Sequence, residues 1–555
     1  MAKEKPSQPA PQNEQEILEE QKAEREQAER PARSAKRASA ARRRLVQRQR
    51  NSLRAGLAVV AGRTAGAVSR RLHLGGGTSI VGVVAQRVYP EIVAHLATQL
   101  EHGSVLVTGT NGKTTTSGFI SAILRDGGLR VWRNREGSNL MRGVASSLVI
   151  RALPNGNLKR SGRAISILEA DEAALPQIVS EVPPRVVIFT NLFRDQLDRY
   201  GEVDSILDHW RKAIDRLPES TTLVMNADDP AIAELGQSFR GKVLYYGIED
   251  RSLDLLVQPV VQERHQTIDT RVCPTCGHEY SYDARFYSHM GHYYCATCGT
   301  RRPQPQVLAR RVEQKGFDRL HMLVEVEGEQ KELVVPLPGL YNVYNALAAI
   351  ATALALGIDW EPISSGIGQF KPVFGRGERI QTDGRTLRLL LAKNPTGFNE
   401  VLRTLFSDSS SRHVLFVLND NIADGQDISW IWDVDFERVI GQTKTLTVSG
   451  TRALDLALRL KYAGVREDEM TIVPQAPLRA QRSERVTRVR RKREGMKDKV
   501  VTRPYGLKSA LDSALKQTPE GETLFVVPTY TGLLEVHREL ESRGLTPRYW
   551  EGKDA

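Results

Sequence analysis

The sequence predicts an α/β fold with two units, the first of which carries a small cysteine-bearing insert. Three observations predict it. From residue 104 onward, short apolar strands alternate with stretches of helical periodicity. This alternation pauses and restarts around a glycine-rich segment near residue 375, and the four cysteines of the chain form two close pairs inside the first unit. Strands alternating with helices are typical of a mostly parallel sheet covered on both faces.

We expect three regions in the 555 residues: a disordered basic tail over 1–54, a central unit over 55–375 with the insert at about 253–312, and a C-terminal unit over 376–555. The tail has almost no aromatic residues and little to bury. The elements predicted for the central unit are strands at Ser104–Val107, Ala164–Leu168, Val186–Phe189, Thr222–Met225, Lys242–Tyr245 and Leu333–Pro336, and helices at Thr115–Leu124 and Val343–Leu356. The strands predicted for the C-terminal unit are Leu387–Leu391, His413–Leu418, Thr445–Val448, Met470–Val473 and Thr523–Val527.

The net charge of +12 is concentrated in two segments. Residues 31–54 hold nine Lys/Arg and no acid, and residues 479–499 hold ten Lys/Arg and three acids. Such segments either attract an anionic partner, such as a membrane face, or are a solvated tail and loop. The chain shows no secretory signal and no apolar run that could span a bilayer, so we expect a cytoplasmic enzyme, with contact at the inner membrane face as a hypothesis.

A glycine turn joins the first predicted strand to the first predicted helix. Residues 108–116 read Thr-Gly-Thr-Asn-Gly-Lys-Thr-Thr-Thr. Glycines let backbone N–H groups approach phosphate oxygens, and a helix N-terminus favours negative charge. Lys113 is placed to reach the outer phosphates and the Thr114 hydroxyl to bind magnesium. Only two residues separate Gly109 from Gly112, fewer than the usual four, so an unrelated glycine turn is the alternative. The predicted phosphate-binding residues are Gly109, Thr110, Asn111, Gly112, Lys113, Thr114 and Thr115.

The cysteines form two C-x-x-C pairs separated by eighteen residues, and a glycine follows each pair. This spacing predicts a structural, four-thiolate zinc site made by Cys273, Cys276, Cys295 and Cys298. Two disulfides or idle thiols are the alternative. We expect the nearby His278, His289 and His292 to be surface residues, because four thiolates already complete the site.

The phosphate loop resembles that of the Mur ligases, the amide-forming enzymes of peptidoglycan precursor synthesis. Further segments resemble the same family, in the same order, over about residues 70–555. They are residues 169–172 (Glu-Ala-Asp-Glu), 190–198, 226–230, 339–346 and 374–378. The resemblance implies a central ATP-binding domain of the P-loop type with a zinc-ribbon insert, followed by a Rossmann-like C-terminal ligase domain. It also implies carboxylate activation, in which ATP phosphorylates a carboxylate and an amine attacks the acyl phosphate.

The resemblance assigns roles to three more residues. Glu169 is implied as a magnesium ligand together with Thr114, Asn345 as a residue beside the adenine, and Arg376 as the hinge arginine that contacts ATP. The chain also departs from the family. Gln196 replaces a metal-binding histidine, Trp210 lies where many members carry a carbamylated lysine, and the usual N-terminal nucleotide-binding domain is missing. A second magnesium site is therefore in doubt.

These departures suit the MurT group, the ligase-like subunits of lipid II isoglutaminyl synthases, which residues 420–437 also resemble. The resemblance implies a heterodimer with a GatD-type glutamine amidotransferase that supplies ammonia, and amidation of the D-glutamate α-carboxyl of lipid II. It also implies that an aspartate of this chain completes the partner's Cys-His pair. Asp424 and Asp427 are the candidates, with Asp427 favoured; the alternative is that both only cap a turn.

Two other functions fit parts of the sequence. A folylpolyglutamate-type ligase would share the ATP core, but it would not explain residues 424–436. A zinc-ribbon protein with basic segments could also bind nucleic acid. That function predicts aromatic residues interleaved with the basic runs, and residues 31–54 and 479–499 contain no Phe, Tyr or Trp. We therefore expect no nucleic-acid partner.

Overall fold

The computed structural model describes residues 52–71, 78–134, 139–159, 162–195, 203–257, 272–371, 375–408, 410–475 and 506–546. Residues 1–51 of the predicted tail, Gln196 and the basic segment 479–499 lie outside these ranges. Residues 52–54, assigned to the tail from sequence, instead begin the first described helix. Within the described ranges, no helix is long and apolar enough to cross a membrane.

The central unit is built on a nine-stranded sheet with a separate hairpin. Its strands are β1 (Ser104–Thr108), β2 (Arg130–Arg133), β3 (Ala164–Glu169), β4 (Val186–Phe189), β5 (Thr222–Asn226), β6 (Lys242–Ile248), β7 (Ser281–Tyr287), β8 (Met290–Tyr294), β9 (Val307–Lys315), β10 (Arg319–Val326) and β11 (Glu329–Val335). The sheet order is β11-β10-β9-β6-β5-β4-β1-β3-β2, and β7 pairs only with β8. The strands from β2 to β9 in this order run parallel to one another, and β10 pairs antiparallel with both β9 and β11.

Helices cover both faces of this sheet. They are α1 (52–71), α2 (Thr78–Val88), α3 (Ile92–Ala97), α4 (Lys113–Asp126), α5 (Met141–Arg151), α6 (Leu175–Glu181), α7 (Val203–Ile214), α8 (Pro230–Gln237), α9 (Leu340–Ala355) and α10 (Trp360–Gly368). Successive residues of a strand point to opposite faces, so Leu106 joins a core with α1, α2 and α5, whereas Val107 joins a core with α9. Both cores are fully apolar at their centres, as expected for a buried parallel sheet.

The C-terminal unit has a six-stranded sheet in the order β12-β13-β17-β14-β15-β16. Its strands are β12 (Arg376–Thr382), β13 (Arg385–Leu390), β14 (Arg412–Val417), β15 (Thr443–Gly450), β16 (Met470–Pro474) and β17 (Thr523–Pro528). Its helices are α11 (Pro395–Leu405), α12 (Ala453–Ala463), α13 (Leu507–Gln517) and α14 (Tyr530–Ser542), with short 3-10 turns at Ser429–Asp433 and Phe436–Val439. Only β12 runs antiparallel to its neighbour.

All the strands and helices predicted from sequence are present, and the α/β fold class is confirmed. Two elements differ from the expectation. Residues 376–382, for which the sequence predicted no strand, form the edge strand β12. The strand β9 returns to the main sheet beside β6 at Val307, inside the segment assigned to the insert. The boundary between the two units at 375/376 stays a prediction.

Candidate active site

The loop between β1 and α4 has a backbone that only glycine accommodates at two positions. Gly109 has φ +130° and Gly112 has φ +86°. A Cβ atom at Gly109 would lie 2.1 Å from Thr190 Oγ1, and one at Gly112 would lie 2.1 Å from Asn345 Oδ1. The loop is also held from the side, because Asn111 N donates to Asn191 Oδ1 at 2.8 Å. The predicted phosphate loop is therefore a fixed, close-packed turn that opens into a helix N-terminus, a suitable place for phosphate oxygens.

Lys113 begins α4 and points back over this loop. Its Nζ lies 2.7 Å from Glu172 Oε1 and also donates to the carbonyl oxygens of Gly109 and Thr110. Burial alone would lower the pKa of the Lys113 ammonium, but Glu172, aided by Asp171 and Asp195, raises the pKa above its ordinary value. The lysine is thus a permanent cation beside the loop, which suits a role in neutralising phosphate charge.

Thr114 and Glu169 form the oxygen pair expected for magnesium. The Thr114 hydroxyl donates to Glu169 Oε2 at 2.8 Å, and both side chains are buried. Glu169 ends β3, next to β1 in the sheet, and its backbone exchanges two 2.9 Å hydrogen bonds with the Asn134 amide. Arg133 lies 3.2 Å from Glu169 Oε1. A hydroxyl in the first turn of α4 and a carboxylate at the carboxyl end of β3 are hard oxygen donors, and this donor set fits Mg²⁺.

A cleft lies beside the loop, between the two sheets. Asn345 of α9 lines one side, where its Oδ1 accepts from the Thr116 hydroxyl at 3.3 Å and its Nδ2 donates to Asn342 Oδ1 at 3.0 Å. Arg376, the first residue of β12, lines the other side. The structure therefore brings Asn111, Gly112, Thr115, Asn345 and Arg376, all predicted from sequence, to one cavity.

Two contacts bridge the cleft from the C-terminal unit. The amides of Asn111 and Asn394 face each other, and Asn394 Nδ2 donates to Asn111 Oδ1 at 3.1 Å. Lys393 forms an ion pair with Asp195, which follows β4. Asn394 also caps α11 by accepting from Gly397 N at 2.8 Å. Residues 393 and 394 thus place the C-terminal unit directly against the phosphate loop.

Asp424 and Asp427 occupy different environments in the loop after β14. Asp424 is buried, and its carboxylate accepts from the backbone N–H and hydroxyl of Thr531 and from Asn421 N. Burial raises the pKa of Asp424 to about 6, although these hydrogen bonds lower it. Asp427 is exposed, and the Ser429 backbone N–H donates to it at 2.8 Å, which lowers its pKa. Of these two aspartates, Asp427 is the one that presents an ionised carboxylate to solvent.

The four cysteine Sγ atoms lie within 4.8 Å of one another. Cys273 and Cys298 are 3.5 Å apart, and Cys276 and Cys295 are 3.4 Å apart. Four sulfurs around a tetrahedral zinc are separated by about 3.8 Å, so the cluster fits that ion. The knuckles are equivalent: in each, the glycine after the pair has a positive φ and donates its N–H to the carbonyl of the first cysteine.

Comparison with known proteins agrees with this geometry. Residues 107–293 match the Mur ligase middle domain, and residues 391–487 match the MurT ligase C-terminal domain. The chain is 33% identical over 411 residues to the lipid II isoglutaminyl synthase (glutamine-hydrolyzing) subunit MurT of Staphylococcus aureus, covering 74% of this chain and 87% of that protein. It is 31% identical to the Streptococcus pneumoniae subunit of the same name, covering 76% and 89%.

The chain belongs to the MurT family of Mur ligases.

Two solved structures share the fold of this chain. The pseudomurein peptide ligase type C of Methanothermus fervidus superposes with a TM-score of 0.54 at 23% identity, covering 79% of this chain and 78% of that one. MurF of Acinetobacter baumannii superposes with a TM-score of 0.53 at 16% identity, covering 83% and 80%. The Mur ligases use ATP and Mg²⁺, so this MurT chain is an ATP-dependent ligase.

The sequence did not indicate some residues of the candidate site, and it misplaced two histidines near the cysteine cluster. Glu172, Lys393 and Asn394 were assigned no role from sequence. The only local pattern among them is the Asn-Pro pair at 394–395, which is typical of a helix start and marks the beginning of α11. His289 and His292 are buried, so the prediction of surface positions for them is wrong, whereas His278 is exposed as expected. Both buried rings lie on or beside the β7–β8 hairpin, where His292 contacts the Ile248 carbonyl at 2.7 Å.

Proposed function

We propose that this chain amidates the D-glutamate α-carboxyl of lipid II to D-isoglutamine, using ATP and ammonia from a GatD-type glutamine amidotransferase subunit. The observation that carries the proposal is a cleft lined by Asn111, Gly112, Thr115, Asn345 and Arg376, in a chain that aligns with nearly the whole length of MurT relatives. Lys113 and the Thr114–Glu169 pair belong to the same phosphate loop and its neighbouring strand. Those relatives are named as glutamine-hydrolysing subunits of lipid II isoglutaminyl synthase.

Different residues of the site are assigned to different parts of ATP. Asn345 and Arg376 line the cleft, where we place the adenosine part of ATP. We place its phosphates on the loop of residues 109–115. A carboxylate oxygen of the substrate attacks the γ-phosphorus and ADP leaves, which gives an acyl phosphate. The ammonia lone pair then attacks the carbonyl carbon, phosphate leaves, and a proton is lost to give the amide. Thr114 and Glu169 would hold a magnesium ion, which would neutralise phosphate charge when bound, and Lys113 adds a fixed positive charge beside the loop.

Asp427 is our candidate for the residue that completes the partner's catalytic centre. An aspartate that orients a histidine and stabilises its charged form must reach across the subunit interface as an anion. Asp427 is exposed and its pKa is lowered, whereas Asp424 is buried and engaged by Thr531. The geometry therefore supports a structural role for Asp424 and the triad role for Asp427.

The surface next to Asp427 has the character of a partner interface. Trp432 lies one helical turn beyond Ser429, and its ring packs edge-on against Tyr462 at 5.6 Å. Tyr462, Leu458 and Leu454 form an exposed stripe on α12 at four-residue intervals. Exposed aromatic and aliphatic side chains in one patch are typical of interfaces. We propose that the amidotransferase subunit docks on this stripe, adjacent to Asp427.

Four-thiolate zinc binding is the second part of the proposal. The β7–β8 hairpin and its two cysteine knuckles pack against α8 through Ala233 and Tyr280. A closed set of four cysteines leaves no position for substrate, so zinc has a structural role here. The ion would fix the insert that carries Tyr287, which lines the cleft.

The decisive experiment mixes the purified chain with a GatD-type subunit, glutamine, ATP, Mg²⁺ and lipid II, and follows the replacement of OH by NH₂ by mass spectrometry. Amidation that requires ATP and this chain is the expected result. A partner that hydrolyses glutamine while lipid II stays unchanged would refute the function.

Variants then assign the aspartate. Asp427→Asn should abolish glutamine-dependent amidation and retain amidation with added ammonium, because only the partner's glutaminase step is lost. Asp468→Asn, which removes an exposed carboxylate elsewhere on this unit, is the matched control. Equal loss with glutamine and with ammonium would exclude the triad role of Asp427.

A further inference from the structure

Helix α1 has two apolar faces, and the bulkier one is exposed. The face that packs on the central unit consists of small or medium residues, including Ala55, Ala58 and Gly62. Leu53 and Leu57 instead project outward and are 73% and 66% exposed. A helix that only covers a core buries its bulky residues and exposes polar ones. The opposite arrangement in α1 indicates a second contact surface.

The exposed apolar residues form a stripe along one side of the helix, with the exposed Thr64 between Val60 and Val68. Leu53, Leu57, Val60 and Val68 are all exposed, and their spacing of three, four or eight residues places them on one side of the helix. The stripe extends over about 22 Å, at about 1.5 Å of rise per residue. The packed face cannot rotate outward, because a Cβ atom at Gly62 would lie 2.6 Å from the Val81 carbonyl oxygen. The outward direction of the stripe is therefore fixed by the packing of α1.

Arginines flank the stripe and no acid interrupts it. Arg54 lies on one side of the stripe, Arg63 and Arg70 lie on the other, and Arg71 ends the helix; all four are exposed. The helix contains no Asp or Glu, and residues 31–51, which precede it, add eight Lys/Arg and no acid. An apolar stripe bordered by arginines matches a surface with an apolar interior and anionic headgroups. A protein partner would need an apolar groove bordered by acidic side chains, whereas an anionic bilayer supplies both properties over its whole surface.

We propose that α1 is a membrane-surface helix that docks this enzyme on an anionic lipid bilayer. Leu53, Leu57 and Val60 enter the boundary between headgroups and acyl chains, and the flanking arginines contact anionic headgroups. The helix lies in the plane of the membrane, consistent with its length and its fixed packing on α2 and α5. The choice of a membrane also rests on the proposed function, since lipid II is a membrane-borne substrate.

The test measures co-sedimentation of the full chain with phosphatidylcholine vesicles, with and without roughly one third phosphatidylglycerol. The triple variant Leu53→Gln/Leu57→Gln/Val60→Gln keeps every arginine and changes only exposed side chains. The matched control, Leu454→Gln/Leu458→Gln, removes exposed leucines from α12. We expect binding to the anionic vesicles, at least about a tenfold weaker partition for the triple variant, and no change for the control.

Other occupants of the stripe give different results, and each would overturn the proposal. Equal binding of wild type and triple variant would mean that charge alone attracts the chain. Absence of wild-type binding to anionic vesicles would exclude the membrane. A wild-type dimer that the triple variant converts to monomer, measured by light scattering, would identify a second copy as the occupant.

Activity measurements separate this inference from the proposed function. The triple variant should amidate a water-soluble lipid II analogue at the wild-type rate and lose activity only on lipid II embedded in vesicles. Failure of the wild type to amidate either substrate would refute the proposed function and leave the vesicle-binding result unaffected.

Discussion

The indole nitrogen of Trp210 donates a 3.0 Å hydrogen bond to the backbone oxygen of Glu172. Trp210 is completely buried and packs edge-on against Phe189 at the end of β4. Glu172 in turn holds Lys113 Nζ at 2.7 Å. The tryptophan thus fixes the segment that contains Glu172, and Glu172 in turn positions the phosphate-loop lysine. Trp210 lies where many members of the family carry a carbamylated lysine.

Trp210→Phe should lower both stability and ATP affinity. Phenylalanine retains much of the apolar contact but leaves the buried Glu172 carbonyl oxygen without its donor, which costs about 1–3 kcal/mol. Urea unfolding and the KM for ATP would measure the two effects. Trp360→Phe on α10, a half-buried position remote from the loop, serves as the control. Unchanged stability and KM in Trp210→Phe would show that the hydrogen bond has no role in positioning the site.

The sequence predicted the interior strands because each is a short, continuous apolar run between turn signals. It missed β12, whose residues Arg-Gly-Glu-Arg-Ile-Gln-Thr contain one apolar side chain. The Asp383-Gly384 turn that joins β12 to β13 has positive φ at both residues, and such a pair is a recognisable hairpin signal. Edge strands are therefore found from their turns, whereas buried strands are found from their composition.

The same distinction applies to the site. The phosphate loop, Glu169 and the cysteine knuckles are local motifs, so their residues could be named in advance. Lys393 and Asn394 act across the cleft, and Asn394 meets Asn111 over a separation of 283 residues. No local pattern encodes such a contact, because it depends on how the two sheets are placed by the whole chain.

The zinc proposal predicts the metal content of two variants. Cys273→Ser should lose bound zinc and unfold at a lower temperature, because a hydroxyl is a much weaker ligand than a thiolate. Burial would raise the pKa of Cys273, but backbone N–H groups of Thr275 and Cys276 lower it to about 6, which favours the thiolate.

Zinc would be measured with a chromogenic chelator after denaturation, and thermal unfolding would be followed by circular dichroism. His278→Ala, which changes an exposed side chain beside the second cysteine, should keep its zinc. Full zinc occupancy in Cys273→Ser, or none in the wild type, would contradict the proposed site.

Asp424 should make the C-terminal unit less stable as the pH rises. Its folded-state pKa, about 6, is above the ordinary aspartate value of 3.8, so the folded state binds more protons between these values. Stability is then greatest below pH 3.8 and falls as the pH rises through 6, by about 3 kcal/mol in total.

Asp424→Asn should remove this dependence, because asparagine keeps an oxygen acceptor for Thr531 N and cannot ionise. Urea unfolding would measure the unfolding free energy of both proteins at pH 5 and at pH 8. Over this range the wild type should lose about 1 kcal/mol of unfolding free energy relative to Asp424→Asn. Asp427→Asn should not produce that shift, since Asp427 is exposed. A constant difference across this range would show that Asp424 titrates near its ordinary pKa.

Asn394 has two roles, capping helix α11 and contacting the phosphate loop, and two substitutions can separate them. Its Oδ1 accepts from Gly397 N at the start of α11, and its Nδ2 donates to Asn111 Oδ1. Asn394→Ala loses both interactions and should destabilise the protein by about 1 kcal/mol. Asn394→Asp keeps the capping acceptor and should retain stability, but it places a negative charge beside residues 109–115, where ATP phosphates would bind.

We therefore expect Asn394→Asp to weaken ATP binding more than Asn394→Ala does, although it is the more stable variant. Repulsion between carboxylate and phosphate should diminish as ionic strength rises, so the ATP dissociation constant of Asn394→Asp should approach that of the wild type at high salt. Nucleotide titration at low and high salt, together with urea unfolding, would measure both quantities. ATP binding to Asn394→Asp as tight as to the wild type at low salt would place the phosphates away from this side of the cleft.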